Sequence, residues 1–264
     1  KKSFSQNFLI NPRAGERIVD SLALSKDDIV LEIGPGKGAL TGFLVEQAKS
    51  VYAVELDRNL VELLREKFKS AKNLEIIAGD ILKFDLSNRL HSAWKIKIAG
   101  NLPYQITSPI LGWLVEYRKS IDSAVLTIQR EVARRICSSP GTKDWSPISI
   151  FCQVYTIPEL LFDISPGSFF PAPQVHSSVI RLKFLTEPLV DSSQAEGFFN
   201  LVHKIFTGRR KTLVKSLLMN YKISREEALH LLAGMNLNEK IRGEKLSIGQ
   251  LGELSVRLPK LTSD

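Results

Sequence analysis

Cysteine is scarce in this chain. Its 264 residues include two, Cys137 and Cys152, and neither sits in a C-x-x-C pair. That excludes a disulfide scaffold and suits free, buried thiols in a reducing cytosol. Histidine is sparse too: His91, His176, His203 and His230 are scattered, without the spacing to other ligands that a metal site needs, so no metal is expected. Long apolar runs are missing. None approaches the ~18–20 residues that span a bilayer, so no membrane segment is expected. No apolar h-region follows Lys1-Lys2-Ser3-Phe4, so a cytoplasmic location without a signal peptide is expected. Acid is in deficit: 36 Lys and Arg face 28 Asp and Glu, a formal charge of +8. This balance suits a polyanionic partner or a coat of solvated lysine equally. With 44% hydrophobic and 24% charged residues the chain falls among ordinary globular proteins, with length for one large domain, alone or with a small companion.

What is present is an alternation. Asn11 and Pro12 can cap and start a helix whose Ile18, Val19 and Leu22 share a face. Ile29-Val30-Leu31-Glu32-Ile33 reads as a buried strand, and Gly34-Pro35-Gly36-Lys37-Gly38 as a tight turn after it. Leu40, Phe43, Leu44 and Ala48 form the next helical stripe; residues 51–54 form a second strand that ends at Glu55-Leu56-Asp57. Leu60, Leu63, Leu64 and Phe68 mark another helix, and residues 74–78 a third strand that ends at Gly79-Asp80. Strands at 95–100 and 124–128, with helices near 106–118 and 131–136, continue the pattern. Such alternation implies an α/β fold, a parallel sheet with helices on both faces. Runs 148–162 and 175–184 read as β-rich, and the short loop between them favours an antiparallel pair at the sheet edge. From about residue 187 helical patterns dominate, at 193–206, 209–220, 225–234 and 247–257. The expected domains are therefore residues 1–186 and 187–264.

Asn101-Leu102-Pro103-Tyr104 follows the strand at 95–100. In an open α/β sheet, ligands sit outside the carboxyl ends of the strands. Asn101 brings a carbonyl acceptor. Pro103 biases Leu102 towards an extended form and so holds the Leu102 carbonyl in one direction. Tyr104 adds a flat π face. Two acceptors beside an aromatic plate suit a planar ring with an exocyclic amine; an Asn-Pro turn is the plainer reading. The Gly34/Gly36/Gly38 turn lets the backbone approach a ligand closely, and with Ala39 it matches G-x-G-x-x-[GA], but no Gly-Lys-Ser/Thr ends it as in a Walker loop.

Glu55 can accept both ribose hydroxyls of a nicotinamide cofactor or of S-adenosylmethionine; with Asp57 it can equally be a helix-start acid. Asp80 can accept from an adenine amine or close a plain turn. Together these strand ends are more specific than any one of them, and a dehydrogenase has no use for an amine-accepting, stacking site at the fourth. Phe169-Phe170-Pro171-Ala172-Pro173-Gln174-Val175-His176-Ser177 supplies rigid aromatics, either to close the far face of a base held by Tyr104 or to plug an apolar gap. Between Phe198 and Arg225 there are seven Lys and Arg and no acid. Arg209-Arg210-Lys211 open an expected helix, where cations are disfavoured unless a polyanion faces them. Phosphate contact and a solvated basic face are the two readings, and Arg130, Arg134 and Arg135 can extend the same surface.

These stretches together resemble the ribosomal RNA adenine dimethyltransferase family of the KsgA type, nearly end to end. The carriers are Gln6-Asn7-Phe8-Leu9, Leu31-Glu32-Ile33-Gly34-Pro35-Gly36-Lys37-Gly38, Glu55-Leu56-Asp57, Gly79-Asp80, Asn101-Leu102-Pro103-Tyr104, Phe169-x-Pro-x-Pro-x-Val-x-Ser177 and Phe206-x-x-Arg209-Arg210-Lys211-Thr212-Leu213. The resemblance implies a Rossmann-like S-adenosylmethionine-dependent methyltransferase sheet at 1–186 and a small helical RNA-binding domain at 187–264. It implies two methyl groups on the exocyclic amine of each of two adjacent adenosines in the 3′-terminal hairpin of small-subunit rRNA, with a role in small-subunit biogenesis. The implied partners are that rRNA and the immature small subunit; the implied state is a monomer, cytoplasmic, or organellar in a eukaryote.

By matching positions, Asn7, Leu9, Gly34, Glu55, Asp80 and Asn101 would line the cofactor site. Asn101 and the Leu102 carbonyl would hold the amine, Tyr104 would stack the adenine, and Phe169 would cover it from the other side; Phe170 beside it leaves open which ring stacks. Arg134, Arg209, Arg210, Lys211 and Lys215 would meet RNA. Rival readings are an Erm-type large-subunit enzyme, a non-catalytic RNA-binding factor on the same fold, and a small-molecule methyltransferase. The Phe206–Leu213 stretch argues against the first, intact Asn101, Tyr104 and Asp80 against the second, and the basic helices against the third.

Overall fold

A computed structural model describes residues 7–87 and 95–258; Gln6 of the first motif and His91 lie outside them. The chain divides into two compact units, residues 1–133 with 157–186, and residues 134–156 with 187–264. Residues 134–156, read from sequence as part of the first domain, thus group with the second unit.

The first unit runs β1 (Phe8–Leu9), α1 (Pro12–Asp20), β2 (Ile29–Ile33), α2 (Thr41–Gln47), β3 (Ser50–Glu55), α3 (Arg58–Lys67), β4 (Leu74–Ala78), β5 (Ile96–Asn101), α4 (Thr107–Glu116) and β6 (Ile121–Gln129). Then α5 (Arg130–Ile136) leads out of it, and α6 (Pro147–Tyr155) belongs to the second unit. The chain returns through β7 (Thr156–Ile164), β8 (Phe169–Phe170) and β9 (Ser177–Phe184). Seven strands form one sheet in the order β4-β3-β2-β5-β6-β9-β7. The pairs β4–β3, β3–β2, β2–β5 and β5–β6 are parallel, and β9 joins β6 antiparallel. Strand order reverses between β2 and β5, where a doubly wound sheet opens a crevice at its carboxyl edge.

Local chemistry explains the elements. All five residues of β2 are buried, as a central strand of a parallel sheet covered on both faces requires, including the acid Glu32. On α1, Ile18 and Val19 are fully buried and pack in one cluster with Val30, Leu44, Val51 and Val125. Asn11 caps α1, its side chain accepting from the Ala14 amide at 3.3 Å, and Pro12 opens the helix as the sequence indicates. Asp57 caps α3 in the same way, accepting from Asn59 at 2.8 Å, so this acid is a helix-start residue.

One strand expectation needs correction. Residues 148–155, read as β-rich, are helical in α6. Ser146 and Ser149 form a reciprocal capping box and Pro147 sits in the first turn, and this start signal outweighs the β-branched and aromatic content. The two-stranded pairing of β1 with β8, antiparallel with Phe8 opposite Phe170 and Leu9 opposite Phe169, has no periodic signature in so short a run.

The second unit adds α7 (Ala195–Phe206), α8 (Leu213–Asn220), α9 (Arg225–Ala233) and α10 (Ile248–Arg257) around Phe198, Leu217, Leu251 and Trp145, each essentially inaccessible. The helix expected from 209 begins only at Leu213, because Thr212 is its cap and accepts from the Lys215 amide. Arg209, Arg210 and Lys211 lie in the turn before it.

Candidate active site

The crevice between β2 and β5 holds a cleft of about 660 Å³, partly open to solvent. Its walls include Asn7, Leu9, Gly34, Asn101, Leu102, Tyr104 and Phe169, so seven residues singled out from sequence converge on one space.

The floor is the glycine turn after β2. Gly34 and Gly36 have φ of +65° and +59°, where a Cβ is strained. A Cβ on Gly36 would also meet the Phe8 ring at 3.2 Å, whereas nothing lies within 4 Å of one on Gly34. The backbone at Gly34 is therefore bare towards a ligand. Glu55, at the end of β3, is 1% exposed, and both its oxygens accept backbone bonds at 3.0 Å, one from the Gly36 amide and one from Asp57. Its carboxylate ties the glycine turn to the neighbouring strand end. Neither Glu55 nor Asp80 is among the residues lining this cleft. Asp80 stands on the adjacent strand end and accepts from the Leu82 amide at 3.0 Å, starting a single 3-10 turn.

The wall is the tetrapeptide after β5. The Asn101 Nδ2 donates to the Asn7 carbonyl at 3.1 Å, which leaves the amide oxygen as its acceptor for a ligand. The Leu102 amide donates to the Thr127 carbonyl on β6 at 3.0 Å, and its side chain is buried. Gly100 makes room for that side chain, since a Cβ there would sit 2.9 Å from Leu102. Tyr104 opens a 3-10 turn, and its Oη lies 2.8 Å from the Ser177 Oγ at the start of β9. The roof is β8. Strand alternation turns Phe169 inward, 3% exposed, and Phe170 outward, 64% exposed, so Phe169 is the ring in the cleft.

Sequence reasoning missed Glu32. It lies mid-way along the all-buried β2, lines the cleft, is 1% exposed, and accepts from the Thr41 hydroxyl at 2.7 Å. Burial pushes its carboxyl up from 4.5 to about 7; the Thr41 bond opposes this, the Glu55 charge adds to it, and Lys67 opposes it. The available signal was an acid inside an otherwise aliphatic strand. A carboxyl so placed gains from a cation entering the cleft.

The basic candidates Arg134, Arg209, Arg210, Lys211 and Lys215 belong to the second unit, whereas Arg130 lies in the first. Arg209 is engaged: its Nε bonds Glu244 at 3.1 Å and its Nη2 the Lys143 carbonyl at 2.8 Å. Lys211 reaches the Met219 sulfur at 3.0 Å. Arg134, Arg210 and Lys215 are exposed. No helix among the described residues is long and apolar enough to cross a membrane.

Comparison with known proteins gives a consistent picture. The family model for ribosomal RNA adenine dimethylase matches residues 1–254. The chain is 39% identical over 263 residues to the ribosomal RNA small subunit methyltransferase A of Alkaliphilus oremlandii, covering 98% of this chain and 92% of that protein. Its counterpart in Alkaliphilus metalliredigens is 40% identical over 258 residues, covering 96% and 90%. Among solved structures, the 23S rRNA methyltransferase ErmE superposes with a TM-score of 0.76 at 29% identity, covering 96% of this chain and 99% of that one. A dimethyladenosine transferase from Plasmodium falciparum gives 0.82 at 24% identity, covering 96% and 98%, a likeness of fold.

Proposed function

The chain belongs to the ribosomal RNA adenine dimethylase family, and from that premise we propose that it transfers methyl groups from S-adenosylmethionine to the exocyclic amine of adenosine in small-subunit rRNA. The observation that carries this reading is the Asn101 amide: its nitrogen is committed to the Asn7 carbonyl, so an oxygen acceptor stands in the cleft beside the Tyr104 ring.

The cleft fits such a cofactor in its chemistry. Bare backbone at Gly34 admits a close approach, and buried Glu32 favours a cationic ligand. Asn7, Leu9, Gly34, Glu32 and Asn101 would hold it, with Glu55 fixing the turn and Asp80 at the next strand end. When bound, S-adenosylmethionine supplies a methyl group on a sulfonium sulfur. The chain's own work is positioning. An adenine amine is a poor nucleophile because its lone pair is delocalised into the ring. The Asn101 Oδ1 and the Leu102 carbonyl accept its two N–H bonds and favour a pyramidal nitrogen. Tyr104 and Phe169 sandwich the ring, offsetting the cost of drawing the base from its stack, about a few kcal/mol. No strong base is needed, because the methylated amine is an acidic cation that loses its proton readily. Orientation is the main lever.

Two adjacent adenosines of the 3′-terminal hairpin are the proposed targets, on naked rRNA or the immature small subunit, with the protein acting as a cytoplasmic monomer. Residues 1–186 would form the catalytic domain and the basic helical region from 187 would hold RNA through its exposed cations Arg210 and Lys215, with Arg134 adding to the same contact. Identity of 39–40% to relatives named small subunit methyltransferase A favours the small subunit. The test is transfer from radiolabelled S-adenosylmethionine to undermethylated small and large subunits. Dimethyladenosine in the small subunit is expected; label confined to the large subunit overturns the assignment.

A further inference from the structure

We infer that Ser177 is a positioning residue that sets the plane of the Tyr104 ring. The two residues lie 73 positions apart in separate motifs, and the fold brings their hydroxyls to 2.8 Å. Ser177 is wholly buried and sits on a rigid frame. It pairs with Gln129 in the β6–β9 ladder, and the preceding carbonyl, of His176, accepts from the Arg130 amide at 3.0 Å. Tyr104 stands on much softer ground, in a single 3-10 turn after Pro103. Its backbone carbonyl accepts from the Thr107 hydroxyl at 3.2 Å, which anchors the base of the residue. The bond at the phenol tip restrains the ring about its two side-chain torsions. A stacking plate left free at that tip samples several planes and holds a base in the productive one for part of the time.

The bond also defines what Tyr104 does. Its phenol is bonded to a buried serine, which suits the residue to serve as a plate. It further explains why Asn-Leu-Pro-Tyr and Phe-x-Pro-x-Pro-x-Val-x-Ser belong to one device. The proline-stiffened loop delivers Phe169 to the cleft and, nine positions along counting both ends, the hydroxyl that steadies the Tyr104 ring.

This inference rests on the proposed stacking of adenine by Tyr104, and the experiment separates the two. Methyl transfer to an undermethylated small subunit is measured for Ser177→Ala, Ser177→Thr, Tyr104→Phe, the Ser177→Ala/Tyr104→Phe double variant and Tyr104→Ala. S-adenosylmethionine binding is followed by calorimetry. Quenching of 2-aminopurine at the target position of an RNA hairpin reports stacking. Ser177→Ala and Tyr104→Phe should each lower kcat/KM by roughly tenfold, and the double variant by no more than either, as one shared bond demands. Cofactor affinity should stay unchanged, quenching should fall in both single variants, and Ser177→Thr should restore it. Additive losses, or a loss in Ser177→Ala with none in Tyr104→Phe, would overturn the inference. Should Ser177→Ala fail to fold, wild-type transfer and quenching in Tyr104→Phe would do so alone. Unchanged quenching in Tyr104→Ala would instead remove the stacking itself.

Discussion

The cleft of the first unit and the basic turn of the second are built on opposite principles. In the cleft the polar groups are held in place: Asn101 by the Asn7 carbonyl, Leu102 by Thr127, Glu32 by Thr41 and Tyr104 by Ser177, with Glu55 beside the cleft held by two amides. Those groups are buried or half-buried, and their positions follow from strand ends. In the turn at 207–212, Arg210 is exposed, and Arg209 and Lys211 make side-chain contacts within their own unit. One region has acceptors preorganised for a single geometry. The other offers charge that tolerates many. That contrast is what chemistry on one amine and attachment to a long polyanion separately require.

The largest effect that sharpens the contrast is Asn101→Ala. It removes an acceptor while leaving the second unit untouched, so turnover should fall by about 10²–10³ or more with RNA affinity nearly unchanged. Comparable turnover would break the assignment, and an equal loss of RNA affinity would break the separation of roles. Next is the triple Arg210/Lys211/Lys215→Ala. Its log-affinity for RNA should depend less steeply on log salt, by roughly 0.7–0.9 per lost phosphate contact. An unchanged slope would take these residues out of the interface. Arg209→Ala alone is the internal control. Because Arg209 holds Glu244 and the Lys143 carbonyl, it should lower the melting temperature slightly, with under about 1 kcal/mol from a partly exposed pair, and move the slope less than Arg210→Ala does.

Glu32→Gln gives the most specific effect. The Glu32 carboxyl is raised from 4.5 to about 7 by burial. Between those values the folded chain keeps a proton that the unfolded chain has released, so this group's stability is full below about 4.5 and lost as pH rises through about 7. Glutamine is neutral throughout. The variant should therefore lose less stability between about pH 5 and pH 8, a flattening on the order of 1–3 kcal/mol. Urea titrations at both ends measure it, and an identical pH slope in the two proteins would show that Glu32 does not titrate there.

Much of this was legible before any coordinates. The strand-helix alternation to residue 136, the caps at Asn11 and Asp57, and the glycine turn each follow from a few neighbouring residues. The site was legible because ligand groups in an open α/β sheet cluster at strand ends, so Gly34, Asn101, Leu102 and Tyr104 were marked by position as much as by type. Errors arose where a short signal competed with a long one. Residues 148–155 carry β-branched and aromatic side chains, and a serine capping box with a proline made them a helix. The cluster 209–211 seemed to open a helix because the cap at Thr212 was overlooked.

By itself, then, the sequence determined the parallel sheet, the glycine turn and seven of the residues that line the cleft, because these depend on periodicity and local backbone preference. Only the tertiary structure decided which of two adjacent phenylalanines faces the cleft, that Glu55 braces the turn, that Glu32 is a buried cleft acid, and that Ser177 reaches Tyr104. Each of those depends on strand pairing or on exclusion of water between residues distant in the chain, and neither quantity is written in any local stretch of sequence.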